Sequence, residues 1–401
     1  MTDKTPRRRI IALLALTQVI SWGSLYYAFS VLAPGIQREL GWRGEIVFGA
    51  FSWSLLVAGL ASTPAGMLLD RIGGRPVMGT GSLLAGLGLL ALATAHSVAV
   101  YFLAWTVLGI AMAATLYEAA FATINREFED GARQGISTLT LFGGLASTVF
   151  WPLTIKLDAM LGWRHTLMVY AAMHLALCLP AHLLLTVRRH ARRPPAAAAP
   201  GLTLHEALRH PAFWMLALAF ATNAFVFSAL SVHLIPVLGR LGHAPGTVAL
   251  LAALIGPLQV AGRIGELAFA HRTRPQAVGK LVFSMLPAAL LCLVFLGMRL
   301  WAVALFCVLY GLSNGILTIV RGTIPHALFG RDNYGAISGA MAGPTLLAKA
   351  AGPLAMALLL QSLPTLAAAL AALLAFSMVS LLCFLAAVRD TGTAHRHGKP
   401  A

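Results

Sequence analysis

Apolar runs of about twenty residues follow one another along the 401-residue chain, separated by short groups rich in charge, glycine or proline. At 1.5 Å of rise per residue, a run of that length crosses the hydrocarbon of a bilayer as a helix. The pattern predicts twelve spans, over 10–33, 46–69, 76–95, 98–124, 135–156, 163–187, 211–238, 246–270, 276–298, 300–324, 335–360 and 363–388. The longest break, 188–210, holds Arg188, Arg189, Arg192, Arg193 and Arg209, the pair Pro194-Pro195 and an Ala-Pro tract. Such a segment builds no packed core and reads as a linker, with a short surface helix over 203–208. The expected organisation is a first six-helix bundle over 1–187, a linker over 188–210, and a second bundle with a short tail over 211–401. The fold class expected is an all-α polytopic membrane protein.

The two halves repeat. Gly66, Arg75 and Pro76 return about 200 residues later as Gly265, Arg274 and Pro275. Leu40-Gly41 returns as Leu241-Gly242, Gly135-Ile136-Ser137 loosely as Gly335-Ala336-Ile337-Ser338, and Pro152-Leu153 as Pro353-Leu354. Four matches in the same order at nearly one offset point to an internal duplication.

Composition narrows the class. The chain is 59% hydrophobic and 10% charged, against about 25% charged in soluble domains. Its net charge of +16 does not signal nucleic-acid binding, because the cations cluster in short loops between apolar runs, as the positive-inside rule requires. Lys and Arg concentrate at the N-terminus, in the even-to-odd loops and at the C-terminus. The opposite loops hold Arg38, Arg43, Lys156, Arg164, Arg240 and Arg299. That asymmetry predicts both termini in the cytoplasm, and the localisation expected is multi-pass in the cell (inner) membrane. The first apolar run is too long for a signal peptide and is expected to be retained as a span. Cys178, Cys292, Cys307 and Cys383 all lie within apolar runs without CxxC spacing, so neither a metal site nor a disulfide framework is expected. No nucleotide loop, metal-ligand cluster or nucleophile constellation suggests an enzyme or a cofactor.

Between the second and third spans stands Gly66-Met-Leu-Leu-Asp70-Arg71-Ile-Gly73-Gly74-Arg75-Pro76. A plain basic loop would account for the arginines but not for Gly66 and Asp70 at this spacing. The pattern Gly-x-x-x-Asp-Arg-x-Gly-x-Arg resembles the signature loop of the major facilitator superfamily of transporters. The resemblance implies two bundles working by alternating access, with Asp70, Arg71 and Arg75 at a cytoplasmic gate. The second copy of the loop is degraded: Ala270 and His271 depart from the pattern, and position 269 has no acid.

Ionisable side chains within spans are costly in hydrocarbon and mark candidate sites. Arg263 lies in the eighth span and Lys349 near the middle of the eleventh. Together they suggest an anion clamp, a bidentate guanidinium with an ammonium point charge. The structural alternatives are an Arg263–Glu266 pair and a snorkelling Lys349. Gln259 is one turn before Arg263 and Glu266 one turn after it. Glu118 and Arg321 lie toward the ends of the fourth and tenth spans, either closing a gate or sitting at the headgroups. Asn223 and His233 in the seventh span are cavity candidates. Tyr26 and Tyr27 in the first span, like Trp53 and Trp151, either line the cavity or pack.

A lone Arg in the eighth span with a Lys in the eleventh is similar to the oxalate:formate antiporter family. The Arg and the Trp22-Gly23 with following aromatics are similar to the wider monocarboxylate-transporter-like group. The resemblance implies that Arg263 and Lys349 hold substrate and that Tyr26 and Tyr27 line the site. Monocarboxylate porters commonly carry Asp four residues before that Arg, where this chain has Gln259, so proton coupling by that route is not expected. The sixth span is peripheral in the superfamily, which makes His174 and His182 satisfied or lipid-boundary histidines in expectation. The proton-coupled drug exporters carry an Arg in the fourth span where this chain has Trp105. The function expected is exchange of small organic anions, mono- or dicarboxylates, by a monomer whose other contacts are membrane lipid. The alternatives are a proton-coupled monocarboxylate symporter, a broad drug or metabolite exporter, and a non-transporting receptor on a transporter fold.

Overall fold

The computed structural model describes residues 4–128, 130–185, 201–269 and 272–394. Residues 188–200 of the expected linker and the departures Ala270 and His271 lie outside the described residues. Within the described residues the chain is helical throughout, without strands.

The helices long and apolar enough to cross a membrane are α1 Arg7–Leu40, α2 Gly44–Ile72, α3 Gly74–Ala93 and α4 Val98–Glu127, followed by a helical stretch Ala132–Leu183. That stretch of 52 residues is far too long for one crossing. It is broken at Gly162 (φ 76°, ψ 165°), a conformation that side chains other than glycine resist, and so gives α5 (132–161) and α6 (163–183). After a short helix Leu204–Arg209 come α7 Pro211–Arg240, α8 Pro245–Phe269, α9 Pro275–Leu296, α10 Leu300–Phe329, α11 Tyr334–Ser362 and α12 Leu366–Arg389. Among the described residues these twelve helices, six in each half, make the all-α polytopic fold expected of the pattern. Gly41 (φ 65°) and Gly242 (φ 90°) sit at corresponding turns of the repeat, both in the left-handed region.

The chain divides into two compact units. The first comprises Met1–Thr203 with Gly330–Gly343, so the opening turns of α11 pack with it. The second comprises Leu204–Phe329 with Pro344–Ala401. In lipid, helices gain little from hiding apolar surface and associate through close packing and small residues. Accordingly α2 and the first turns of α11 cross backbone to backbone. A Cβ on Gly66 would overlap the Gly335 carbonyl, and one on Gly339 would overlap that of Ser62. In the second unit Gly262, Gly311 and Gly315 let α8 and α10 approach in the same way: Cβ atoms there would strike Leu312, Leu258 and the Gln259 carbonyl. The second unit's interior is filled by Leu286, Leu290, Leu293, Phe306, Tyr310 and their neighbours.

Four helices depart from regularity, α5 by a turn at Gly144–Leu145. α1 contains a π-turn over Gly23–Tyr27 and α6 one over His174–Cys178. α4 breaks at Leu116, whose backbone is extended (φ −80°, ψ −164°). The break strands backbone carbonyls that a continuous helix would pair, and Gln18 Nε2 donates to one of them, Thr115 O, at 2.6 Å.

Candidate functional site

The signature turn is built around backbone groups at helix ends. α2 stops at Ile72 because Gly73 (φ 87°) turns the chain. Asp70, one turn earlier, accepts from the Gly335 and Ala336 amides at 3.0 and 2.8 Å. Those amides open α11, where helix N–H groups lack intrahelical partners and the dipole favours an anion. Arg126 donates to the Asp70 and Leu69 carbonyls at the end of α2. Arg331 Nε and Nη2 donate to the Asn125 and Arg126 carbonyls, both at 2.7 Å, closing the end of α4. Arg71 and Arg75, expected beside Asp70 at the gate, are exposed on the turn. Their sequence signal is shared by any basic loop, whereas Arg126 and Arg331, which make the contacts, lie outside the motif. Glu118 starts the second half of α4, two residues past the Leu116 break.

The first unit also gathers aromatic rings around the α1 π-turn. Tyr26 stands 5.4 Å from Trp22, 5.3 Å from Tyr27 and 5.5 Å from Phe51. Tyr27 meets Trp151 at 5.8 Å, and Trp22 meets Tyr117 at 5.0 Å. The π-turn brings Tyr26 and Tyr27 into this one cluster, half-buried.

The second unit holds the cations. Arg263 is 7% exposed and Glu266 6%, one turn apart on the buried face of α8. Arg263 follows Gly262, the residue that draws α8 onto α10, and its Nε is buried without a hydrogen-bond partner. Gln259 is on the same stripe, its carbonyl against Gly315. Lys349 is half-buried on α11, in the same unit. Ser228 Oγ donates to the Lys349 carbonyl at 2.6 Å, and Gly352 lets α11 close on the Phe225 carbonyl of α7. Asn223 is fully buried, with neither amide atom hydrogen-bonded. Arg321 is half-buried in α10, and His233 is hydrogen-bonded to the Ala229 carbonyl of its own helix. Trp53 reaches Thr106 Oγ1 at 2.8 Å. Among the described residues no group of three or more His, Cys, Asp or Glu side chains converges as metal ligands would. Arg263 offers a guanidinium withdrawn from water with donor capacity to spare.

His174 and His182 are fully buried, which rules out the lipid boundary for both. His182 has both ring nitrogens engaged, by Ser82 at 2.8 Å and Thr17 at 3.0 Å. His174 is held by Ser24 at 2.8 Å, while its Nδ1 has no partner.

The family model of the Major Facilitator Superfamily matches residues 14–343. The chain belongs to the major facilitator superfamily. As a superfamily member it is a multi-pass integral membrane protein of a transporter family. Among curated proteins it is 26% identical over 313 residues to an "uncharacterized 38 kDa protein in 23S RNA operon" of Thermoproteus tenax, covering 78% of each chain. It is 25% identical over 324 residues to monocarboxylate transporter 13 of Bos taurus, covering 77% of this chain and 75% of that one. Among solved structures it resembles the human organic anion transporter MFSD10 (TM-score 0.71, 18% identity, 95% of this chain and 99% of that one). It also resembles the E. coli fucose:proton symporter FucP, in its outward conformation (TM-score 0.70, 14% identity, 94% and 98%). At such identities the structural likenesses establish the fold alone. The superfamily assignment agrees with the signature turn, and the similarity to a monocarboxylate transporter agrees with the resemblance carried by Arg263 and the first span.

Proposed function

We propose that this superfamily member is a secondary carrier of small organic anions, mono- or dicarboxylates, and that it works by alternating access as an anion exchanger. The observation that carries this reading is Arg263, withdrawn from water with its Nε unpartnered. A buried guanidinium is retained at a cost of several kcal/mol or more, and a carboxylate in bidentate contact offsets that cost with geometric selectivity. Lys349 supplies a second positive charge in the same unit, suited to the far carboxylate of a dianion. Tyr26 and Tyr27 are proposed to line the substrate path, with Asn223 and Gln259 as further polar contacts. Asp70, Glu118 and Arg321 serve the gate in this reading. The carrier is proposed to act as a monomer in the cell's inner membrane, with both termini cytoplasmic, and without enzymatic activity.

A second reading has one observation in its favour. Glu266 is buried one turn from Arg263, where a carboxyl group can carry a proton together with the anion, as a monocarboxylate symporter would require. A thermal-shift screen of purified protein against small mono- and dicarboxylates tests the common core of both readings. A ligand that binds the folded state raises its apparent midpoint, and that rise should vanish in Arg263→Gln. Equal stabilisation of Arg263→Gln by the same anion refutes the clamp.

A further inference from the structure

Two helices of the first unit face each other through matched polar residues. On α1, Thr17, Ser21 and Ser24 lie on one face at three- and four-residue spacing; on α6, His174, Cys178 and His182 do the same at four-residue spacing. The helices run antiparallel, and the residues meet rung by rung. Ser24 Oγ and His174 Nε2 are 2.8 Å apart and Thr17 Oγ1 and His182 Nε2 are 3.0 Å apart; Ser21 and Cys178, between them in sequence, are both buried, and Ser21 Oγ has no hydrogen-bond partner. Ser82 of α3 completes the last rung at His182 Nδ1. All seven residues are buried. The first rung joins the two π-turns directly, since Ser24 lies in one and His174 opens the other. π-turns are locally weaker helix and recur at functional positions.

We propose that this ladder is a proton-binding site of the carrier, its imidazoles taking up a proton when α1 and α6 part. Imidazole is the side chain suited to reversible proton uptake in the physiological range. The elements packed around the ladder bring it no ionised partner. α1 carries no charge between Arg9 and Arg38, only the phenols Tyr26 and Tyr27; α3 has only Arg75, in its first turn; α4 has the phenols Tyr101 and Tyr117, and its charges Glu118, Arg126 and Glu127 all lie beyond the Leu116 break. α5 carries Arg133, Lys156 and Asp158 near its ends, and α6 adds Arg164, His165 and Tyr170, whose hydroxyl is engaged by Thr154 at 2.6 Å. A charged imidazole in the closed seam would have neither counter-ion nor water, so it is stable only in an opened arrangement. Proton uptake and seam opening are thus one linked equilibrium. His174 Nδ1, buried and unpartnered, is the atom at which the proton or its escorting water arrives. The assignment does not depend on which anion the carrier moves.

The test needs no substrate. Proteoliposomes adsorbed on a capacitive membrane are given rapid pH jumps in anion-free buffer, and the transient charge displacement is recorded. Wild-type protein should give a saturable transient, and H174Q/H182Q should lose about five-fold or more of its amplitude. S24A, which keeps both histidines but removes the first rung, should retain the amplitude and shift the midpoint pH. If the double variant does not purify folded, H174Q alone, which leaves the Thr17–His182–Ser82 contacts intact, should show a loss of about half. A wild-type protein without a transient, or histidine variants with the wild-type amplitude, overturns the proposal.

Discussion

Asp70 holds the first turn of α11 through the amide of Gly335, 3.0 Å from its Oδ1, while its other oxygen takes the next amide at 2.8 Å. The acid of the signature turn therefore serves as a ready-made anion for a helix N-terminus 265 residues away in sequence. Asp70→Asn keeps one acceptor, removes the charge and offers an NH2 group to an amide that has nothing to accept. Charged hydrogen bonds contribute about 1.5–3 kcal/mol each and the helix dipole up to about 1 kcal/mol. The variant should lose on the order of 2 kcal/mol of this contact, lowering the apparent thermal midpoint by several degrees and reducing transport. Asp70→Glu should recover part of both. A midpoint for Asp70→Asn equal to wild type would show that the bond does not stabilise the folded state.

The crossing of α2 over α11 gives a sharper contrast. A methyl group on Gly66 has no room, because the Gly335 carbonyl occupies its position, whereas one on Gly265 at the corresponding place in the repeat meets no atom within 4 Å among the described residues. Gly66→Ala should therefore force the helices apart, at about 1–3 kcal/mol, with loss of function. Gly265→Ala should be near neutral or slightly stabilising, since alanine is the better helix former by about 1 kcal/mol. Measuring both variants by thermal unfolding and expression decides the matter; similar losses in the two would contradict the asymmetry.

Much of this was legible in the sequence because bilayer thickness sets span length so strongly. The twelve runs foretell twelve helices, and the one place where two merge, 132–183, still reverses at a glycine. Lone charges such as Arg263 stand out against apolar surroundings for the same reason. The contacts at helix ends were not legible. Arg126 and Arg331 sit in basic loops where any arginine satisfies the positive-inside rule, and only the folded backbone reveals the carbonyls they cap. The π-turns over Gly23–Tyr27 and His174–Cys178 and the break at Leu116 contain no proline to mark them in the sequence. The histidines illustrate a signal that was present but discounted. His174, Cys178 and His182 repeat every four residues, a buried-face spacing, and the facing stripe Thr17, Ser21, Ser24 carries matching hydroxyls. A peripheral position for α6 concerns the helix as a whole, not the face it turns inward.

The break in α4 predicts a dependence on Gln18. Its Nε2 supplies the Thr115 carbonyl with a donor at 2.6 Å in a fully buried setting. Gln18→Leu keeps the volume but leaves that carbonyl unsatisfied, which should cost about 1–3 kcal/mol. Gln18→Glu keeps the shape but puts acceptor against acceptor unless it is protonated. Thermal midpoints should fall in both variants, and more for Gln18→Glu at neutral pH than in mild acid. If the leucine variant melts with the wild type, the break is satisfied by other means.

Arg263 connects stability with mechanism, and the two respond in opposite directions to one substitution. Without ligand, its guanidinium is a buried charge with an unpartnered Nε, so replacing it by the neutral Gln should leave the empty protein as stable or more so. The same replacement should abolish stabilisation by carboxylates and abolish transport. Lys349→Gln, one charge fewer in the same unit, should instead shift preference from dianions toward monoanions. A carrier that returns empty must take the bare Arg263 charge through an occluded state, which costs several kcal/mol, whereas one returning with an anion carries a neutralised pair. Exchange should therefore outpace net movement by a large factor, since each 1.4 kcal/mol of that barrier is about ten-fold in rate. Proteoliposomes loaded with unlabelled anion should take up labelled anion rapidly, and empty ones slowly. Equal uptake into empty vesicles, driven by an inward proton gradient and lost in Glu266→Gln, would move the mechanism from exchange to proton symport while leaving Arg263 as the anion's ligand.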